Sequence, residues 1–227
     1  MTNPNLTHIE VILDRSGSMD LLADEMVKQL NEFVNEQRAL PGEATLSLTV
    51  FNHEVITVLE DRPVKEILVI GRNDYKPEGL TALYDAVGSR IDSTGERLAK
   101  LPEEQRPSKV LFLIITDGLN NRCYRYDQKM VFDRITHQEE VYSWVFTYLG
   151  ANQDAFVEGD KIAVKSGATL NFAPTMKGVG DAYGKMRHAV RRMRASDAPI
   201  KSDEFYTQEE QEEHQRDVDA EQKTPTT

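Results

Sequence analysis

Apolar runs alternate with amphipathic stretches along most of this chain. His8 to Leu13 is mostly apolar and predicts a buried strand, closed by the polar turn Asp14-Arg15-Ser16-Gly17-Ser18. Leu22, Met26, Leu30, Phe33 and Val34 then recur every three or four positions, the spacing of one helix face, and Pro41-Gly42 stops that helix. Thr45 to Phe51 alternates, and Val55 to Leu59 is the next extended run. Only Asn52, His53 and Glu54 separate the two, which predicts an antiparallel hairpin. A loop region follows through Asp74 and Pro77.

After Gly79-Leu80-Thr81, residues Leu83, Val87, Ile91 and Leu98 mark a second helix, with Pro102 beyond its end. Val110 to Ile115 is the most hydrophobic run. It predicts a central parallel strand ending at Thr116-Asp117-Gly118. A weaker helix pattern covers Tyr126 to Glu139, and Tyr142 to Leu149 reads as a further strand closed by Gly150. Asn152 to Lys165 reads as a helix weakened by Gly159. Ala168 to Phe172 is a short last strand. Thr175 to Arg194 is a long helix with Met176, Val179, Tyr183, Met186, Val190 and Met193 on one face.

This alternation predicts an α/β domain: a doubly wound, mainly parallel sheet with helices on both faces. There is no internal repeat. The composition changes at Ser196. Gln208 to Gln215 holds four glutamates and no aliphatic residue, and residues 196–227 carry a net charge of −7 out of −11 for the whole chain. The expected organisation is one domain over residues 1–195 and an acidic, disordered tail over 196–227.

Charge and composition narrow the function. A chain with 38 acids against 27 Lys and Arg is a poor nucleic-acid binder. The lone Cys123 forms no internal disulfide, no apolar segment approaches bilayer-spanning length, and Met1 to Glu10 has no signal-peptide pattern. A soluble cytoplasmic protein is expected, with no membrane partner.

Three polar clusters fall where strands or loops end: Asp14-x-Ser16-x-Ser18, Thr81, and Asp117. In an open parallel sheet, ligands bind outside the carboxyl ends of the strands, where strand order reverses. If the first and central strands are neighbours there, the clusters converge. Two carboxylates and three hydroxyls suit a hard cation such as Mg²⁺, with Mn²⁺ and Ca²⁺ as alternatives. Uncharged hydroxyls neutralise the ion poorly, which leaves it open to one more anionic ligand, and a partner's Glu or Asp would serve. The competing reading is a turn and a helix cap.

Asp14-Arg15-Ser16-Gly17-Ser18-Met19, Gly79-Leu80-Thr81 and Thr116-Asp117-Gly118 together resemble the metal-ion-dependent adhesion site of the von Willebrand factor A family. The resemblance covers about residues 7 to 194. It implies a sheet of about six strands with one antiparallel edge strand. It also implies direct Mg²⁺ ligation at Ser16, Ser18 and Thr81, and direct or water-mediated ligation at Asp14 and Asp117. A ligand carboxylate often completes the shell in that family. Leu149-Gly150-Ala151-Asn152-Gln153-Asp154-Ala155 is similar to a segment of its prokaryotic and phage members. That similarity makes Asn152, Gln153 and Asp154, with Gly79, candidates for a partner-contact rim, although Asn152 or Asp154 could instead cap the next helix.

The resulting expectation is a metal-dependent protein-binding module for a partner with an exposed acidic residue, not an enzyme. The alternatives are a metal-dependent phosphoryl-transfer or hydrolytic enzyme and a metal-stabilised assembly subunit. No G-x-x-x-x-G-K-[ST] string occurs, and the five histidines show no zinc spacing. Lys177, Lys185, Arg187, Arg191, Arg192 and Arg194 read as a solvated basic face. The alternatives there are that the acidic tail folds back on that face, or that Glu209 or Glu212 reaches the metal site.

Overall fold

In the computed structural model, residues 1–151 and 155–222 are described. Six strands form one sheet: β1 (Asn3–Asp14), β2 (Glu43–Phe51), β3 (Val55–Pro63), β4 (Pro107–Thr116), β5 (Val145–Ala151) and β6 (Thr169–Phe172). Their order is β3-β2-β1-β4-β5-β6. All pairs are parallel except β2–β3, the hairpin. Val11, Ile12, Leu13 and Leu111 to Ile115 are buried on both sides of the sheet, which is why these strands read as unbroken apolar runs.

The helices are α1 (Ala23–Ala39), α2 (Leu83–Ala99), α3 (Gln128–Tyr142), α4 (Ala155–Lys161), α5 (Met176–Ala195) and α6 (Gln208–Gln222). α1 packs with α5, and α2 with α3. Asn152, Gln153 and Asp154 lie outside the described residues, so the helix expected from Asn152 is seen only as α4. The third helix starts two residues later than its pattern suggested and ends at Tyr142, where Ser143 adopts a left-handed conformation.

One buried polar network holds α2 to the sheet. Glu10, in mid-β1, has no exposed surface. Arg90 grips both its oxygens, Nε to Oε1 at 2.9 Å and Nη2 to Oε2 at 3.0 Å, and also pairs with Glu60 on β3. Thr94 donates to Glu10 at 3.1 Å, and His8 lies 3.6 Å away. Burial pushes the Glu10 carboxyl up, but His8 and Arg90 outweigh it and hold it below its ordinary value.

The expectation of a disordered tail is not met over residues 202–222. Phe205 and Tyr206 are buried against the domain, and α6 lies along α5 and β6. Glu210 pairs with Arg192, Glu213 with Lys185, and Glu221 with Lys177. The acidic segment therefore folds back on the basic face of α5 instead of leaving it solvated. The remaining bases of that face meet α1: Arg187 reaches Glu32 and Glu36, Arg191 reaches Glu36, and Arg194 bonds Gln37. α6 also satisfies the open edge of β6. Gln211 donates to the Thr169 carbonyl at 3.1 Å, and His214 Nε2 lies 2.6 Å from the Asn171 carbonyl. Residues 223–227 lie outside the described residues.

Candidate metal centre

Strand order reverses between β1 and β4, and their register places the site there. Leu13 pairs with Ile115, so Asp14 and Thr116 fall side by side at the carboxyl edge. Asp14 is fully buried. Its Oδ1 accepts the Ser16 amide at 2.7 Å, and its Oδ2 accepts the Thr116 hydroxyl at 2.5 Å. Its carbonyl accepts the Tyr75 hydroxyl at 2.6 Å. The chain then turns into a short 3-10 helix, Gly17–Leu22, before α1.

Ser16 stands in the N-cap position of that 3-10 helix but makes no side-chain capping bond. Its hydroxyl instead lies 3.2 Å from that of Ser18, and Ser18 donates to Asp117 Oδ1 at 2.7 Å. The capping reading therefore does not account for these two hydroxyls.

Thr81 is brought in by two loops. Its amide donates to Asn121 Oδ1 at 2.9 Å, and its carbonyl accepts the amides of Asn121 and Arg122. Its hydroxyl faces Gly118: a Cβ at Gly118 would sit 3.1 Å from Thr81 Oγ1 and 3.8 Å from Asp14 Oδ2. Gly79 joins the first loop to the second, its carbonyl accepting the Gly17 amide at 3.1 Å. Its φ of +75° and the His53 ring, 2.4 Å from where a Cβ would lie, leave room for glycine alone. The structure thus brings Asp14, Ser16, Ser18, Thr81 and Asp117 together. Of the expected rim, Gly79 is placed beside them, and Asn152, Gln153 and Asp154 are not described.

Among the described residues, no Lys or Arg side chain balances the two carboxylates. Arg15, between Asp14 and Ser16, is buried but turns away toward Glu54 and Glu78, each 3.6 Å distant, and toward Asn52 at 3.3 Å. Burial pushes Asp14 up to about 6, and the Asp117 charge adds to it. Burial likewise raises Asp117. Two adjoining acids lifted in this way, with hydroxyls left over, form an oxygen-only set that fits a hard divalent cation. Among the described residues, no three His, Cys, Asp or Glu side chains gather in a metal-binding group. The set is short of negative charge and rich in hydroxyls.

Several supporting residues escape a reading of the sequence. Thr116 and Tyr75 orient Asp14. Asn52 ties the hairpin to the second loop, accepting the Glu54 amide and donating to the Glu78 carbonyl, each at 2.8 Å. Asp85 pins the third loop, accepting the amides of Tyr124, Arg125 and Tyr126. Tyr126 packs over Gly88, whereas Tyr124 is exposed. Cys123 donates to Asn120 at 2.7 Å, and burial raises its thiol, which keeps it protonated.

No family model matches the chain, and no curated protein matches it. Solved structures do match. Proximal thread matrix protein 1 of the mussel byssus, with a zinc-occupied MIDAS motif, is 13% identical with a TM-score of 0.55 over 82% of this chain and 46% of its own. A von Willebrand factor type A protein from Catenulispora acidiphila is 14% identical, TM-score 0.51, over 84% of this chain and 42% of its own. The manganese-loaded TRAP protein of Plasmodium vivax is 11% identical, TM-score 0.54, over 80% of this chain and 72% of its own. The chain spans less than half the length of the first two. At these identities the likeness is one of fold, and the fold is of the von Willebrand factor A type. Among the described residues, no helix is long and apolar enough to cross a membrane.

Proposed function

We propose that the chain is a divalent-metal-dependent protein-binding module, in which a partner's Glu or Asp completes the coordination of an ion held at Asp14, Ser16, Ser18, Thr81 and Asp117. One observation carries this reading. Two buried carboxylates and three hydroxyls converge at the switch point, and among the described residues no lysine or arginine is turned into them. Ser16, Ser18 and Thr81 would hold the ion through hydroxyl oxygen, and Asp14 and Asp117 would supply the charge. When bound, Mg²⁺ or another hard divalent cation supplies an electrophilic centre that accepts one further anionic oxygen. Thr116 and Tyr75 hold Asp14 in place, and Asn121 holds Thr81. The zinc-occupied MIDAS motif named for the mussel protein and the manganese named for the Plasmodium protein agree with this reading.

The test is a calorimetric titration of MgCl₂ into the wild type and into Ser16→Ala, followed by affinity capture of partners in Mg²⁺ and in EDTA. Ser16→Ala is expected to keep its circular dichroism spectrum and lose both Mg²⁺ binding and Mg²⁺-dependent partners. Full partner capture in excess EDTA would refute the mechanism.

A further inference from the structure

Each of the three segments that bring oxygen to the site also presents a leucine to solvent. Leu21, three residues after Ser18, is 92% exposed. Leu80, directly before Thr81, is 47% exposed, and Leu119, two residues after Asp117, is 55% exposed. Single exposed leucines are ordinary, but a group arranged about one polar centre marks an interaction face. A carboxylate that reaches this centre would fit best if it arrives with aliphatic neighbours.

The chain carries such a group on its own flank. After β3, the backbone runs along α1 and is fastened to it. Arg38 donates to the carbonyls of Val64 and Ile67, and Asn31 bonds both the amide and the carbonyl of Ile70 at 2.9 Å. Val64, Ile67 and Ile70 turn inward and are buried. That spacing throws Leu68 and Val69 outward, 86% and 84% exposed, with Glu66 exposed beside them. The result is a fixed ridge of one carboxylate and two bare aliphatic side chains, which none of the described residues covers.

We propose that this ridge docks on the metal face of a second copy of the chain, Glu66 completing the ion's shell while Leu68 and Val69 meet the exposed leucines. The proposal rests on the metal reading above. The ridge is tied to the middle and far end of α1, whereas the site lies before α1 begins, so donor and acceptor are different surfaces. The contact is therefore heterologous, head to flank, and can repeat along a row of copies.

The test is sedimentation velocity of the full chain over a concentration series, in Mg²⁺ and in EDTA, beside calorimetry with MgCl₂ alone. The wild type is expected to assemble in Mg²⁺ and revert to monomer in EDTA. Glu66→Gln is expected to bind Mg²⁺ as the wild type does and stay monomeric. The Leu68→Ser, Val69→Ser double variant should weaken association at least about tenfold, through loss of two buried aliphatic side chains. Mixing Glu66→Gln (intact face) with Ser18→Ala (intact ridge) should give a 1:1 dimer that grows no further, although each alone is monomeric. Both substitutions are at exposed positions, and circular dichroism checks their folding. A wild type that binds Mg²⁺ but stays monomeric, or a Glu66→Gln variant that still assembles, overturns the self-contact and leaves the metal reading standing. A wild type that binds no Mg²⁺ overturns both.

Discussion

Glu10 and Asp14 lie four residues apart on β1, and neither has exposed surface. Their surroundings drive them in opposite directions. Glu10 is held by both arms of the Arg90 guanidinium and by Thr94, and its carboxyl sits below the ordinary value. Asp14 faces Asp117 and hydroxyls, has no cation beside it among the described residues, and is pushed up to about 6 by burial. A buried acid with its counter-charge supplied by the fold is structural glue. A buried acid without one is either a defect or a place kept for something that arrives later.

The comparison can be broken most sharply from the Glu10 side. Arg90→Met would leave Glu10 buried without the guanidinium that grips both its oxygens and should cost about 3–5 kcal/mol in urea unfolding at neutral pH. A loss below about 1 kcal/mol would mean that the network is idle. The Asp14 side should behave in the reverse way. Asp14→Asn in EDTA should cost no more than about 1 kcal/mol of stability at neutral pH, because the carboxylate it replaces is disfavoured in the fold. Mg²⁺ at about 100 times its dissociation constant should add about 2.7 kcal/mol to the wild type and nothing to the variant.

Acid sharpens the difference. Glu10 has a folded value below its ordinary 4.5, and Asp61, beside His8 and Arg97, is held at about 2 against 3.8. For both, the stabilisation is fully present above the ordinary value and is lost as pH falls through the lower folded value. Unfolding midpoints in EDTA should therefore drop steeply below about pH 4.5, and the Glu10→Gln, Arg90→Met double variant should flatten that limb. The smallest effect is expected at Ser18. Ser18→Ala should shift stability by under about 0.5 kcal/mol while weakening Mg²⁺ roughly tenfold or more in calorimetry.

Much of the fold was legible because its strands are buried on both faces and its helices keep strict spacing. The site was legible because polar residues interrupt those runs at strand ends, as Asp14 and Asp117 do. What escaped depends on distance along the chain. Glu10 sits within an apolar run, and its partner Arg90 is eighty residues away. Thr116 looks like one more strand residue until the register sets it beside Asp14. α6 was hidden because it docks through charge and side-chain amides. Val218 is its one buried aliphatic side chain among the described residues, so no apolar stripe announces it.

The two margins of the sheet are finished differently, and this bears on handling the protein. At β6, Gln211 and His214 occupy the carbonyls that another strand would seek. At β3, two register shifts against β2, the left-handed Asp61 and Pro63 spoil the ladder. Fibril growth by sheet extension is blocked at one margin by irregular backbone and at the other by a docked helix. Only the second block can be removed by a cut. A recombinant chain ended before Gln208 would bare β6 and invite aggregation, whereas a purification tag placed after Gln222 would leave the guard in place.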